Sequence, residues 1–581
     1  MTIQASSRTV PSPLNVRPRP LAYAGAGAWS LARRGALAGL QRAFSASLAG
    51  KRRDFLTGAL SGGLERVQGA KLAAFLASNA QSRYGRDHGY AEITTLESWR
   101  ARVPIVDYDD LETRVGRVAS GHARELTDDS VIMLERTGGS TSTNKLIPYT
   151  KGLKDEFSAA TDVWMADLYA RIPSLLGTTC YFAISPVGPA PRATEGGLPI
   201  GFEDDTEYFH PIVRILWRRM LAVPAEVARI GDMEEWRFAT CRALLADDAL
   251  GILSVWSPTF LSGLLDFLEA RFDDLVATLP SPRARALLRA RSEAGGRLSG
   301  RALWPRLAVV SCWADGVSRE FALPLRAFFR GVHLQPKGLL ATEGVVTFPL
   351  CGPAVGPLDA ARWDDPDEAD TPEGAYATRR VLAYTSHFFE FLDLDAPSRA
   401  PLLAQELRVG GNYSPLLTTA GGFARYHLKD ALACTGAHAG VPTLRFVGKT
   451  DRTADLFGEK INMRQVEQGL EIARTRTGAS WRFALLAPVD SPWRYMLFLE
   501  SDEPEAVLEH VARVLEEHLL TGHHYAYCRK LGQLHGLQWR RVNAGREAFE
   551  RGLVGAGLRA GTIKPAVLDA RTHWADIFAA P

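Results

Sequence analysis

Thr137-Gly138-Gly139-Ser140-Thr141-Ser142-Thr143-Asn144-Lys145 lies between a short apolar run, Val131–Glu135, and a helix signal that opens at Thr150. The run before it has the length and apolar character of a buried strand. After Thr150, an N-cap residue type, Leu153, Phe157, Ala160, Trp164 and Leu168 recur at the spacing of one helix face. A strand, a loop of small residues and a helix in that order predict α/β architecture. The loop's chemistry points the same way. Its side chains are short and hydroxylated, its glycines let a ligand approach the backbone, and one lysine closes it. Such a loop can surround phosphate oxygens with N–H and O–H donors while Lys145 adds positive charge. It is not the P-loop of NTPases, because Asn144 precedes Lys145 and Leu146 follows it, where that motif needs Gly and a hydroxyl.

Outward from this stretch, strand-like and helical patterns alternate from about Gln81 onward, with Leu307–Trp313 and Gly338–Ala341 reading as buried strands. The acidic, Pro-broken run from Trp363 to Glu368 reads as a solvated loop. A boundary is expected near Asp451. Beyond it, Arg482–Ala487 and Tyr495–Leu499 read as strands, Asn462 and Gln465 as a capping box, and Asp502 as the cap of a helix carrying Val507, Val511, Val514 and Leu515. The organisation predicted is a large domain over 1–450, whose residues 1–50 are Arg-rich, and a small α+β domain over 451–581.

The chain has 581 residues, 46% of them apolar and 23% charged, with a formal net charge of +3. That charge gives no argument for nucleic acid or an anionic membrane as partner. The first 50 residues hold six arginines and no acid before Asp54. Such composition suits either a targeting segment or a disordered start followed by a basic amphipathic helix, and the second is the reading preferred. Arg33-Arg34 interrupt Leu21–Leu40, so no membrane span is expected there. Six scattered cysteines without a CxxC pair suggest reduced thiols and a cytoplasmic enzyme. His523, His524 and Cys528 have no partner spacing that completes a metal site, and no GxSxG elbow supplies a hydrolase nucleophile.

Several segments together resemble the adenylate-forming superfamily of acyl-CoA synthetases, nonribosomal-peptide adenylation domains and luciferases, whose phosphate loop reads T-S-G-T-T-G-x-P-K. From roughly Lys71 to Lys564 the chain looks like a bacterial relative of the plant auxin-responsive acyl acid amido synthetases. That narrower resemblance rests on Tyr84-Gly85-Arg86, Val103-Pro104-Ile105, Thr194-Glu195-Gly196-Gly197-Leu198-Pro199-Ile200-Gly201, Trp256-Ser257-Pro258 and His524-Tyr525-Ala526-Tyr527-Cys528. The loop departs from the superfamily at Gly138, usually Ser, and at Ser142, usually Gly.

The resemblance implies a mixed-sheet adenylate-forming domain with a mobile C-terminal domain, using ATP and Mg²⁺. Thr137, Gly139, Ser140, Thr141, Ser142 and Lys145 would hold the phosphates. Ala341 and Thr342 would lie beside the nucleotide, with Glu343 as the magnesium carboxylate. Arg425-Tyr426-His427-Leu428-Lys429-Asp430 is similar to the family's Y-R-x-G-D stretch, making Asp430 the ribose ligand; His427 stands where Arg is usual and Lys429 where Gly is usual. Gly448-Lys449-Thr450-Asp451 is similar to the hinge, with Asp451 as pivot. Ala560-Gly561-Thr562-Ile563-Lys564-Pro565 is similar to the segment whose lysine reaches the α-phosphate, and Gly197 and Phe202 would border the acyl pocket. The function implied is activation of a carboxylic acid as acyl-AMP and transfer to an amine or amino acid. The alternatives are transfer to a CoA or carrier-protein thiol, and a non-catalytic nucleotide-binding relative.

Overall fold

Four short, largely buried strands build a central parallel sheet in a computed structural model of the chain. The structure describes residues 31–136, 145–183, 193–201, 220–316, 318–352, 377–396, 399–450, 453–454, 456–457, 459–490, 492–555 and 563–579. Strands Thr179–Phe182, Leu250–Ser254, Val309–Cys312 and His333–Pro336 lie side by side in chain order, every pair parallel. Parallel strands need helical crossovers, so both faces of this sheet are covered. On one face Cys180, Ile252 and Val309 join the core that holds the helix Lys151–Arg171. On the other, Tyr181, Leu253, Val310 and Cys312 pack with the helices Met233–Ala246, Pro258–Ala270 and Ser318–Phe328.

The helix Lys151–Arg171 forms where its sequence predicts. Thr150 Oγ1 accepts the Leu153 amide at 3.0 Å, and Leu153, Phe157, Ala160, Trp164 and Leu168 are all buried. The basic N-terminal helix does more than cover a surface. It runs over Leu31–Gly58, buries Leu37, Gln41, Leu48 and Phe55, and sets its cations on acids of the domain. Lys51 meets Asp162 at 2.6 Å, Arg52 meets Asp167 at 2.8 Å and Arg34 meets Asp248 at 2.8 Å. The expected disordered start, residues 1–30, lies outside the described residues, as does the acidic run 363–368.

A second sheet is antiparallel and eight-stranded, running from Leu402–Leu403 through Phe388–Asp393, Asn412–Thr418, Asp430–His438, Val441–Lys449 and Ala377–Leu382 to Thr347–Gly352, with Tyr426–His427 pairing off Asn412–Thr418. Its central hairpin turns on Ala439 and Gly440, both at positive φ (50° and 79°), which matches strand twist across a two-residue loop.

From Ala454 to Trp574 the chain packs a separate apolar core. The expected strands appear as Phe483–Val489 and Arg494–Glu500, with Gln538–Arg541 added parallel to the second. Asn462 and Gln465 exchange the predicted capping-box bonds at 2.9 and 3.0 Å. The expected cap at Asp502 does not form. The helix begins at Glu505 after Pro504, and Asp502 pairs with Arg482 instead. Among the described residues, no helix is long and apolar enough to cross a membrane.

Candidate active site

The stretch expected as a strand over Gly338–Ala341 is a bent connection. Gly338 sits at φ +81°, and a Cβ there would lie 2.7 Å from the Thr347 carbonyl oxygen, so glycine is required and regular strand geometry is broken. Leu340–Ala341 then pairs with Gly344–Val345, and Thr342-Glu343 form the tip of this small hairpin. Three contacts fix the tip. Tyr149 Oη donates to the Thr342 carbonyl at 2.7 Å. The Val345 amide donates to His387 Nε2 at 3.0 Å, so the proton of this buried imidazole resides on Nδ1, which donates to Glu156 Oε2 at 2.9 Å. Tyr426 Oη donates to Glu343 Oε1 at 3.2 Å. A Cβ on Gly344 would lie 2.8 Å from both His387 Nε2 and Leu417 Cδ2, so this position also needs glycine.

With the loop 137–145 as the first motif, Tyr426 brings the third, Arg425–Asp430, to the second, Thr342-Glu343. Its ring stacks on Phe423 with centroids 4.7 Å apart. Burial pushes its phenol far above the usual range, and the Glu343 charge adds to the shift, so it stays a donor. Arg425, itself buried, donates to Glu390 Oε2 at 2.9 Å and to the Val103 carbonyl at 2.7 Å. Asp430, 1% exposed, begins the strand paired with Val441–Lys449. Its Oδ1 lies 2.9 Å from Lys449 Nζ, an ion pair by distance without hydrogen-bond geometry, and its carbonyl accepts from Ser414 Oγ at 2.7 Å. Lys429 adopts φ +59°, a left-handed conformation that favours glycine, and its ammonium reaches Asp107 Oδ2 at 2.7 Å. Burial alone would raise the Asp107 carboxyl. The Lys429 pair and the Asp109 and Asp110 amides outweigh it and hold the group below its usual range.

The loop 137–145 joins the antiparallel strands Val131–Arg136 and Leu146–Thr150, whose register closes at Arg136 opposite Leu146. Thr137, Gly139, Ser140, Thr141 and Ser142 lie outside the described residues. Lys145, at the loop's end, places Nζ 5.3 Å from the Tyr108 ring centroid, and Tyr108 Oη accepts the Leu146 amide at 2.8 Å. Burial raises the Tyr108 phenol, and the charges of Glu112 and Glu343 add to the shift.

Lys564 comes from the C-terminal part and lies over Trp313, 4.9 Å from its ring centroid, at the C-terminal edge of the parallel sheet. Arg546 also crosses the seam, to Asp266 at 3.1 Å. Tyr149 and Tyr426 thus hold Thr342 and Glu343, the Tyr426 strand leads on to Asp430, and Lys145 packs on Tyr108. Gly197 sits apart, exposed in a turn at φ +81° with open space where a side chain would be. Phe202 and Asp451 lie outside the described residues. Sequence reasoning gave no role to Tyr108, Tyr149, Tyr426, His387 or Glu156. Only Tyr426 carried a signal, its place inside the third motif.

The model for the GH3 family N-terminal domain matches residues 59–284, and that for the GH3 family central domain matches residues 380–449. The chain is 25% identical over 463 residues to the probable indole-3-acetic acid-amido synthetase GH3.2 of Oryza sativa subsp. japonica, covering 71% of this chain and 70% of the relative. It is 22% identical over 437 residues to the indole-3-acetic acid-amido synthetase GH3.15 of Arabidopsis thaliana, covering 67% and 69%. A solved structure of AtGH3.15 acyl acid amido synthetase in complex with 2,4-DB shares the fold, with a TM-score of 0.74 at 17% identity over 93% of this chain and 96% of that chain.

Proposed function

We propose that this chain, which carries the N-terminal and central domains of the GH3 family, is an ATP-dependent acyl acid amido synthetase. The observation that carries the reading is the contact of Tyr426 with Glu343, which brings the Thr342-Glu343 hairpin tip and the strand leading to Asp430 into one polar unit. Two half-reactions follow. A carboxylate oxygen attacks the α-phosphorus of ATP, pyrophosphate leaves, and an acyl-AMP forms. An amine then attacks the acyl carbon, AMP leaves with the bonding pair, and the ammonium proton is lost to give the amide.

Little covalent chemistry falls to side chains here, so positioning and charge neutralisation dominate. Lys145 and the hydroxylated loop would receive phosphate oxygens, and Asp430 the ribose hydroxyls. Glu343 would hold Mg²⁺, whose charge offsets that of the phosphates; a single carboxylate beside phosphate oxygens is an ordinary site for this ion. Tyr426 orients that carboxylate by donating to one of its oxygens. Lys564, on a segment whose neighbours Ile563 and Ala566 belong to the separate core of Ala454 to Trp574, would reach the reacting carboxylate and α-phosphate. The division at Asp451 into a 1–450 domain and a mobile 451–581 domain belongs to the same reading. So does a cytoplasmic setting, which six buried cysteines without a disulfide suit.

The test is ATP–pyrophosphate exchange with a panel of carboxylic acids, followed by mass analysis of products formed with amino acids or with CoA. Exchange and an amide are expected. A thioester in place of an amide would replace the acceptor, and exchange with no acid in the panel would overturn adenylation itself.

A further inference from the structure

Lys337 is the residue this chemistry has not used. It follows the strand His333–Pro336 and precedes the Glu343 hairpin by six residues, at the C-terminal edge of the parallel sheet where open α/β folds place ligands. It is only 6% exposed. Its ammonium donates to Ser254 Oγ at 2.6 Å and lies 4.8 Å from the Trp256 ring centroid and 5.3 Å from that of Trp164. Two indole faces therefore flank this ammonium in a place that water barely reaches, the arrangement of a cation–π contact.

The sheet beneath it is polar where its neighbours are not. Ser254, Ser311 and Gln335 stand in register across three strands, on the face that two residues earlier carries Ile252 and Val309. Gln335 is engaged, its Oε1 accepting from Trp164 Nε1 at 2.9 Å. Ser311 Oγ is fully buried and has no hydrogen-bond partner among the described residues. Such a hydroxyl is costly unless something completes it. The Trp256 and Trp313 rings lie 5.9 Å apart, with Lys337 against the first and Lys564 against the second. Two ammonium groups therefore bracket one pair of indoles.

We infer that this indole pair supports the body of the acid and that Lys337, with Ser254 and Ser311, receives a second carboxylate at its far end. The inference rests on the adenylation reading, in which Lys564 attends the reacting carboxylate. The substrate class it assigns is dicarboxylic acids: one end is activated, the other anchored by a charge-assisted hydrogen bond in a dry site.

The experiment compares length-matched acids, one ending in methyl and one in a second carboxylate, by exchange kinetics and by calorimetric binding to the full chain. The wild type should favour the diacid in kcat/KM and in affinity. Lys337→Met should lower the diacid-to-monoacid ratio about ten- to a hundredfold, as expected for loss of a buried charged hydrogen bond, and Lys337→Arg should keep the preference. Ser311→Ala, a smaller change, should lower the same ratio and serves if the Met variant does not fold. No diacid preference in the wild type, or an unchanged ratio in the variants, would overturn the inference. Calorimetric binding without exchange for any acid would instead remove the adenylation reading and leave the diacid subsite standing.

Discussion

Tyr426 Oη lies 3.2 Å from Glu343 Oε1, although 83 residues separate them, and this one bond ties the third motif to the second. Burial and the adjacent carboxylate keep the phenol protonated, so it remains a donor. Tyr426→Phe should lower the exchange rate about ten- to a hundredfold, the worth of one hydrogen bond to a charged acceptor. The loss should shrink at high magnesium if the phenol acts by orienting Glu343. A rate that is insensitive to the variant at every magnesium concentration would remove that role.

Glu343→Gln keeps the shape of the side chain and removes its charge. Pyrophosphate release should fall by about a hundredfold or more, since a metal's charge stabilisation is worth several kcal/mol. Folding should be little affected, because Glu343 is only partly buried at a hairpin tip. Magnesium titration of both proteins provides the check, and an unchanged apparent affinity would exclude Glu343 as the ligand.

Lys564→Ala should slow adenylate formation by about a hundred- to a thousandfold, comparable with deleting one preorganised donor to a developing charge. ATP binding, measured by calorimetry, should persist, because the lysine acts in the transition state. In this structure its ammonium rests on Trp313. A variant with normal exchange would show that another cation serves the phosphate.

Local signals were legible in the sequence where short-range chemistry decides them. Thr150 caps its helix through an amide three residues on, and Asn462 and Gln465 cap each other over the same span. Long-range contacts were not legible. The Asp502 cap failed because Arg482, 20 residues earlier, takes the carboxylate. The strand at Gly338–Ala341 failed because the Thr347 backbone crowds Gly338. Tyr149 meets Thr342 across 193 residues and His387 meets Glu156 across 231, pairings that no spacing rule encodes. The site is therefore readable as motifs, while the groups that aim those motifs are visible only once the two sheets are assembled.

His333 gives the fold a pH dependence with a definite sign. Burial pushes its imidazole down to about 4, with Arg326 adding to the effect, and Nε2 lies 3.1 Å from Thr378 Oγ1. An unfolded histidine titrates near its ordinary 6.5. Between 6.5 and about 4 the unfolded chain therefore binds a proton that the folded chain does not. Stability is full above that window and falls as pH drops through it, by up to about 2 kcal/mol at pH 5 from this group. Urea unfolding at pH 7.5 and 5 should show a smaller loss for His333→Gln than for the wild type. Equal losses would mean that His333 is protonated in the folded state.

Glu390 carries the largest expected effect on folding. It is 1% exposed and accepts from Trp99 Nε1 at 3.1 Å, Arg100 Nε at 2.8 Å and Arg425 Nε at 2.9 Å. Arg425 holds φ at +49°, a left-handed conformation costing a non-glycine residue about 1–2 kcal/mol. It stays there because its guanidinium also binds the Val103 carbonyl at 2.7 Å. Glu390→Gln retains an acceptor for Trp99 but leaves two guanidinium groups facing one neutral amide. Breaking a buried ion pair from one side costs about 3–5 kcal/mol, which outweighs the single hydrogen bond retained. Urea unfolding should show that loss. Activity should fall further than the folded fraction does, because Arg425 precedes Tyr426, and freeing its backbone releases the phenol from Glu343. Exchange rates per folded molecule that match the wild type would confine Glu390 to stability and separate it from the site.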